Sequence, residues 1–191
     1  MELVDVALNI RQARKAKGMT LAGLAKASGV TKGYVSQVEN FRTTPSLAVL
    51  CRLAEALSVE PGALLKGGSV RKRYVVTRSG AGEEVERESP DSGFEYRALA
   101  REKGGKLMEP FLLSLPPGST RRDVTTDGDQ FIHVLSGSVD FVLGKEKVKL
   151  VRGDSLYFDG SVPHHPENNT KKAASVLVLY ALRTGSEGGA R

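Results

Sequence analysis

The sequence contains very little cysteine, since Cys51 is its single example in 191 residues. One cysteine excludes an internal disulfide, so stability must come from buried apolar surface. Long apolar runs are also missing, because the longest, 176–182, is far shorter than the roughly 20 residues that span a bilayer. The first residues show neither the basic nor the apolar segment of a secretion signal. We therefore expect a cytoplasmic protein without a membrane partner.

Catalytic signatures are absent as well. The sequence shows no pairing of a nucleophile with a base and no glycine-rich phosphate loop. Its hydrophobic content of 40% and charged content of 26% are typical of a globular protein. A length of 191 residues fits about two small domains.

Positive charge exceeds negative charge by six, and the pI is near 9.5. Residues 1–66 hold nine basic and five acidic side chains, whereas residues 67–191 hold nineteen and seventeen. The excess is therefore concentrated in the first third of the chain. Such a distribution favours a polyanionic partner for that part.

The first third of the chain has the apolar spacing of helices. This spacing predicts a first helix over about 5–17. Thr20 and Thr31 are expected to cap the second and third helices, Ser46 the fourth, and Pro61 to begin a short fifth. The apolar stripe of the fourth helix is predicted to be Leu47, Leu50, Ala54 and Leu57.

Residues 20–39 predict a helix-turn-helix that binds DNA. The small Ala25 stands where two crossing helices touch, and Gly29 stands at the turn. The N-terminal part of the third helix is the part that enters a major groove. Residues predicted to face the bases are Thr31, Lys32, Gly33, Tyr34, Ser36 and Gln37, and those predicted to bind phosphates are Arg42, Thr43 and Thr44.

Individual roles within this surface stay open in places. Gln37 can pair with an adenine edge, whereas Lys32 can reach either a guanine or a phosphate. Gly33 either lets the helix backbone approach DNA closely or is simply tolerated at an exposed site. A protein-association role for the domain is the alternative, which the polar surface disfavours.

Beyond Gly67-Gly68-Ser69, interpreted as a hinge, the period changes to that of strands. Short strands separated by glycines predict a sandwich or barrel. Segment 79–93 is predicted as a solvated acidic loop. The expected strands are 74–77, 94–96, 111–115, 131–135, 139–143, 148–150, 156–158 and 176–180. We divide the chain into a DNA-binding domain (1–66), a linker with the first strand (67–92), a sensor and dimerisation domain (93–184) and a flexible tail (185–191).

Residues 5–66 resemble the XRE, or phage-repressor-like, family of five-helix DNA-binding domains. The resemblance rests on Ile10-Arg11-Gln12-Ala13-Arg14, Leu24-Ala25, Gly29-Val30-Thr31, Val35 to Asn40 and Pro45-Ser46-Leu47. It implies an internal ion pair between Arg14 and Glu39. Two positions depart from the family: Leu21 to Gly23 lack the usual Gln and Glu, and Phe41 replaces a common glycine.

Residues 117–168 resemble a cupin, an all-β double-stranded β-helix or jelly roll with two signature segments. Gly118 and Gly137 bound the first segment, and Gly153, His164 and Asn168 match the second. The metal-ligand positions of the family do not match, because they hold Val124, Thr126 and Gln130 in the first segment. An iron, manganese or nickel site needs about three or four imidazole and carboxylate donors. We therefore expect no metal and no cofactor.

The two-domain arrangement resembles bacterial transcription regulators with cupin sensors. It also resembles the epoxidase of the fosfomycin pathway, a non-haem iron enzyme whose ligand positions correspond here to Thr126, Gln130 and His164. The missing ligands favour a regulator, not an enzyme, that binds operator DNA as a homodimer and senses a small organic effector. The predicted effector pocket comprises Val124, Thr126, Gln130, Phe141, Tyr157 and His164, and a packed interior without ligand is the alternative.

Overall fold

The computed structural model describes residues 3–66, 72–85 and 92–182. The chain divides into two compact units, and the main boundary falls between Lys72 and Arg73. The helices belong to the first unit and the strands to the second. Within the described ranges, no helix combines the length and the hydropathy needed to cross a membrane. The predicted hinge at 67–69 and the predicted tail at 185–191 lie outside these ranges.

The described part of the first unit contains five helices, as the sequence predicts. Their N-terminal caps are the ones expected: the hydroxyls of Thr20, Thr31 and Ser46 each accept a hydrogen bond from the amide three residues later, at 3.0, 3.1 and 3.4 Å. Each cap satisfies an N–H group that has no partner inside its helix. The helices are α1 (Leu3–Ala16), α2 (Leu21–Ser28), α3 (Lys32–Glu39), α4 (Leu47–Leu57) and α5 (Pro61–Leu64).

One apolar core holds these helices together. Among its buried members are Val6, Ile10, Leu24, Val35, Val38, Leu50, Leu53 and Leu57. The prediction that Leu47 belongs to the buried stripe of α4 is wrong, because Leu47 is 71% exposed. It is the first residue of α4 and lies at the end of the helix, while the fully buried Leu53 completes the stripe.

The second unit is built from antiparallel strands, as expected for a cupin. Six of them form one sheet in the order β1-β2-β3-β9-β4-β7, and three form another in the order β6-β5-β8. The strands are β1 (Glu83–Val85), β2 (Glu95–Ala98), β3 (Glu109–Leu115), β4 (Gly128–Ser136), β5 (Ser138–Leu143), β6 (Glu146–Val151), β7 (Ser155–Asp159), β8 (His164–Glu167) and β9 (Ala174–Leu182). The double-stranded β-helix topology stays a prediction.

The structure differs from the predicted strands in three places, and in each the difference depends on whether the segment pairs with a neighbouring strand. Part of the segment predicted as an acidic loop is strand β1, which forms by pairing with β2. Strand β8 was missed, although it pairs with β5. Residues 74–77 have the β-branched and aromatic composition of a strand but form none, and Tyr74 and Val76 are 78% and 61% exposed. Strand formation depends on a neighbour as much as on composition.

Candidate nucleic-acid interface and inter-sheet site

The turn between α2 and α3 orients the candidate DNA-reading helix. Gly29 adopts a left-handed conformation with φ of 67°, which a residue with a side chain adopts only at a cost. Directly after the turn, the amide of Val30 donates to the carbonyl of Ala25 at 3.1 Å. The Thr31 cap then begins α3. The predicted turn residues therefore determine where α3 starts and in which direction it points.

Helix α3 has one buried side and one accessible side. Val35 and Val38 are buried in the helical core. Thr31, Lys32 and Gly33 are exposed, and the remaining predicted base-facing residues, Tyr34, Ser36 and Gln37, are partly exposed. The Thr31 hydroxyl is engaged as the helix cap. The N-terminal half of α3 thus presents polar and basic groups outward, as a major-groove helix requires.

The loop after α3 holds the three residues predicted to bind phosphates. Arg42 is only 7% exposed, and its phosphate contact stays a prediction. Thr43 and Thr44 are partly exposed, but the Thr44 hydroxyl oxygen is buried. Phe41 stands where the family has a glycine, and it keeps a positive φ of 56° while its ring is buried. The aromatic side chain thus anchors the loop in the core while the backbone retains the glycine-like turn.

A bidentate ion pair joins α3 to α1, as the family resemblance implies. The Arg14 guanidinium donates from Nε to Glu39 Oε1 at 2.6 Å and from Nη2 to Oε2 at 2.8 Å. A third bond runs from Nη1 to the carbonyl of Met19 at 2.8 Å. The side chains are only 12% and 3% exposed, so Glu39 holds the fold and does not face DNA.

In the second unit, a buried polar pair links the two sheets. Gln130 lies on β4 of the larger sheet and His164 on β8 of the smaller, and their Nε2 atoms are 2.9 Å apart. His164 Nδ1 lies 2.7 Å from the carbonyl of Val162, so this nitrogen carries the proton. The Nε2 lone pair of the neutral ring then accepts from the Gln130 amide. Both residues are at most 2% exposed.

Aromatic rings surround this pair. The Phe141 ring stacks on His164 with centroids 6.2 Å apart, and Phe158 meets the imidazole edge-on at 4.8 Å. The prediction that Tyr157 lines the interior was wrong, because it is 66% exposed. The register decides this, since Phe158 pairs with the inward-facing Gln130 and successive side chains on β7 alternate. Phe158 is therefore the inner residue that the sequence reasoning missed.

Two further predicted residues lie beside this pair along the chain. Val124 forms an isolated bridge with His164, so their side chains share one face. The Thr126 side chain is buried, and among the described residues its hydroxyl has no hydrogen-bond partner. A buried hydroxyl without a partner costs free energy in the ligand-free protein. It is also a group that a bound molecule can satisfy.

The inter-sheet donors do not fit a catalytic transition metal. Thr126 and Gln130 are neutral, and the His164 lone pair is already engaged by Gln130. Nor do the described ranges hold any group of three or more His, Cys, Asp or Glu side chains arranged to bind a metal ion. His133 bonds Ser155 on the outer side of β4, as alternation predicts.

The remaining histidine belongs to a surface network. His165 contacts Asp123 at 2.6 Å through Nδ1 and Glu167 at 3.1 Å through Nε2. A hydrogen bond from Lys147 at 2.6 Å, helped by one from Asn169, lowers the pKa of Glu167 to about 2. Unlike the neutral Gln130–His164 pair, this network contains an ion pair between Lys147 and Glu167.

Comparison with known proteins matches this division. A helix-turn-helix family model matches residues 10–64, and a cupin-domain model matches residues 111–180. The HTH-type transcriptional regulator SinR of Bacillus subtilis is 42% identical over 57 residues, which are 29% of this chain and 51% of that protein. The chain therefore spans about half the length of the curated relatives that it matches.

Two solved structures share the fold of nearly the whole chain. An HTH_3 family transcriptional regulator from Vibrio cholerae has a TM-score of 0.52 and 19% identity, covering 95% of this chain and 97% of its own. Fe(II)-HppE with an alternative substrate has a TM-score of 0.50 and 20% identity, with coverages of 94% and 98%. At such identities the likeness concerns the fold alone. This chain therefore joins an XRE-type helix-turn-helix domain to a C-terminal cupin domain.

Proposed function

We propose that the protein is a transcription regulator that binds operator DNA through its helix-turn-helix domain. The observation that carries this proposal is the outward polar half of α3, held by the Thr31 cap above a buried Val35 and Val38. Lys32 and Gln37 read bases or anchor the helix in the major groove, and Thr43 contacts a phosphate. The protein acts as a homodimer, because one such helix contacts too few base pairs for useful discrimination.

Replacing Lys32 by alanine tests the DNA interface. Loss of a base contact is expected to weaken operator binding by about 1–3 kcal/mol. Loss of a phosphate contact would instead weaken all sequences uniformly and reduce the salt dependence by about one unit. Fluorescence anisotropy at several salt concentrations separates the two, using DNA selected from genomic fragments.

Lys145→Ala is the matched control, because it removes the same charge from an exposed turn of the cupin domain. Equal effects of the two substitutions would show that net charge alone matters. Unchanged binding by both Lys32→Ala and Gln37→Ala would place the recognition surface elsewhere.

The cupin domain is proposed to bind a small organic effector between its sheets, without a metal. Gln130, His164 and Thr126 supply neutral polar groups, and Phe141 and Phe158 supply apolar walls. A site with this lining favours a molecule that has an apolar body and one or two hydrogen-bonding groups. Effector binding acts on DNA affinity only if it favours one dimer geometry over another.

Thr126→Val separates an effector site from a packed interior. Without ligand, the variant is expected to unfold at the same free energy or a slightly higher one, because it removes an unpartnered hydroxyl. A thermal shift screen against metabolites identifies the effector, since a ligand at 100 times its dissociation constant adds about 2.7 kcal/mol. The shift should shrink in the variant. An unchanged shift would exclude Thr126 from the site.

Iron binding distinguishes the regulator from an HppE-like enzyme. Because Thr126, Gln130 and His164 supply one imidazole and no carboxylate, added Fe(II) is expected to leave the melting temperature unchanged under anaerobic conditions. Stoichiometric iron after dialysis would favour the enzyme instead.

A further inference from the structure

The six-stranded sheet of the cupin domain has an apolar outer side. Along β3, β4 and β9, buried residues alternate with partly exposed ones, so each strand has an inner and an outer set of side chains. The outer apolar residues define what is called here the β4–β9 face: Pro110, Leu112, Phe131, Tyr157, Leu177 and Leu179.

The strand register makes this face continuous. Phe131 pairs with Tyr157 on one side and with Leu179 on the other, and Leu179 pairs with Pro110. One apolar row therefore crosses four strands. Leu112 and Leu177 pair in the next row. Directly paired residues are neighbours on one side of a sheet, so the rows form a single patch.

Charge is confined to the margin of the patch. Asp129 and Asp159 pair with each other at one end, and the Tyr157 hydroxyl donates to Asp129. Along the two rows, the described side chains on β3, β4, β7 and β9 include no Lys, Arg, Asp or Glu. The second row ends in polar groups on both sides, because His133 bonds Ser155 beside Leu177 and Arg97 of β2 lies beside Leu112. A nucleic acid or an acidic protein would require basic groups here. A face without charged side chains at its centre is complementary to itself and adds no local repulsion between two copies of a chain whose net charge is +6.

The size of the face agrees with such a partner. The outer side of these four strands, which are spaced by about 4.8 Å and are about seven residues long, covers roughly 450 Å² with its polar margins included. Two copies would bury roughly 900 Å² through this side, close to the roughly 1,000 Å² at which specific interfaces begin. The apolar rows would form the centre of that interface and the polar side chains its rim.

We propose that two copies of this chain associate through the β4–β9 face, with Phe131, Leu177 and Leu179 at its centre. The inference rests on the proposed function, because a two-fold dimer is what allows two α3 helices to read two half-sites. An isologous contact uses the same surface on both copies, so it supplies the two-fold symmetry that paired half-sites require.

Leu179→Glu in the full chain tests this interface by sedimentation velocity across a concentration series. The wild type is expected to be a dimer, and the variant should dissociate at least a hundredfold more readily, because each glutamate would be buried against its partner without a cation. Val151→Glu is the control, since Val151 is 46% exposed on β6 of the other sheet and should leave the dimer intact. A monomeric wild type, or a Leu179→Glu dimer as tight as the wild type, would overturn the proposal.

Tyr157→Glu keeps the test decisive if Leu179→Glu does not fold. Tyr157 is 66% exposed, so the substitution spares the core and should still weaken the dimer at least tenfold. Unchanged dimerisation would then exclude the face. DNA binding, measured in parallel, separates the two proposals: a monomeric wild type that binds operator DNA would overturn the interface and the homodimer but leave DNA binding by α3 standing. A dimer that binds no DNA would sink the regulator alone.

Discussion

Replacing Glu39 by alanine is expected to lower the free energy of unfolding of the helical domain by about 3–5 kcal/mol. The substitution leaves the Arg14 guanidinium almost buried, with both of its bonds to Glu39 removed. An uncompensated buried charge costs far more than the pair contributes when both members are present. Urea unfolding followed by the far-ultraviolet circular dichroism of the helices measures the loss.

A double variant, Arg14→Leu with Glu39→Leu, is the matched control. It removes the pair without leaving a charge, so its loss should be much smaller than that of Glu39→Ala. The carbonyl of Met19 would still lose its donor, which is a cost of one hydrogen bond. Equal losses for the two variants would contradict the account of Glu39 as a buried charge partner.

Gly137→Ala is expected to lower the free energy of unfolding of the cupin domain by about 2–5 kcal/mol. Two costs add. Gly137 has a φ of +77°, which costs an alanine about 1–2 kcal/mol. The added Cβ would also lie 2.8 Å from the Cα of Ala174 and 2.9 Å from the carbonyl oxygen of Ala173, both backbone atoms.

Gly118→Ala isolates the second cost. Gly118 has nearly the same φ, +72°, but an added Cβ would meet nothing within 4 Å. Its loss should therefore reflect the backbone conformation alone, about 1–2 kcal/mol. Denaturant unfolding followed by the near-ultraviolet circular dichroism of tyrosine compares the two variants. A similar loss for both would show that β9 shifts to accommodate the methyl group.

The sequence does not distinguish the surroundings of these two glycines. Both bound the same cupin signature segment and look equivalent there. In the structure, Gly118 needs only its turn conformation, whereas Gly137 lies against the backbone that begins β9. These contacts join residues 36 and 37 positions apart, so local sequence contains no sign of them.

The DNA-binding surface was the more predictable site. The caps at Thr20 and Thr31, the turn at Gly29 and the buried side of α3 all follow from neighbours within four residues. Arg42 was the exception. Its burial depends on how the loop packs over the core, and a basic residue after a recognition helix looks the same whether it is buried or free.

The inter-sheet site was predicted only in part. Motif spacing identified Gln130 and His164, but their hydrogen bond crosses between two sheets, which no spacing along the chain reveals. The choice between Tyr157 and Phe158 depended on the register of β7 against β4, since a shift of one residue exchanges the two faces of a strand. Strands β1 and β8 were missed for a related reason, because each is a short edge strand that exists through its partner.

The sequence by itself determined the two domain types, the five helices with their caps, and the loss of the metal ligands at Val124, Thr126 and Gln130. These depend on residue type and on spacing over a few residues, which are written directly in the chain. Only the tertiary structure decided that Gln130 and His164 bond to each other, that Phe158 and not Tyr157 faces them, and that Arg42 is buried. Those outcomes depend on strand register and loop packing. Both are set by contacts between residues far apart in the sequence, and these contacts lower the free energy only once the whole domain has folded.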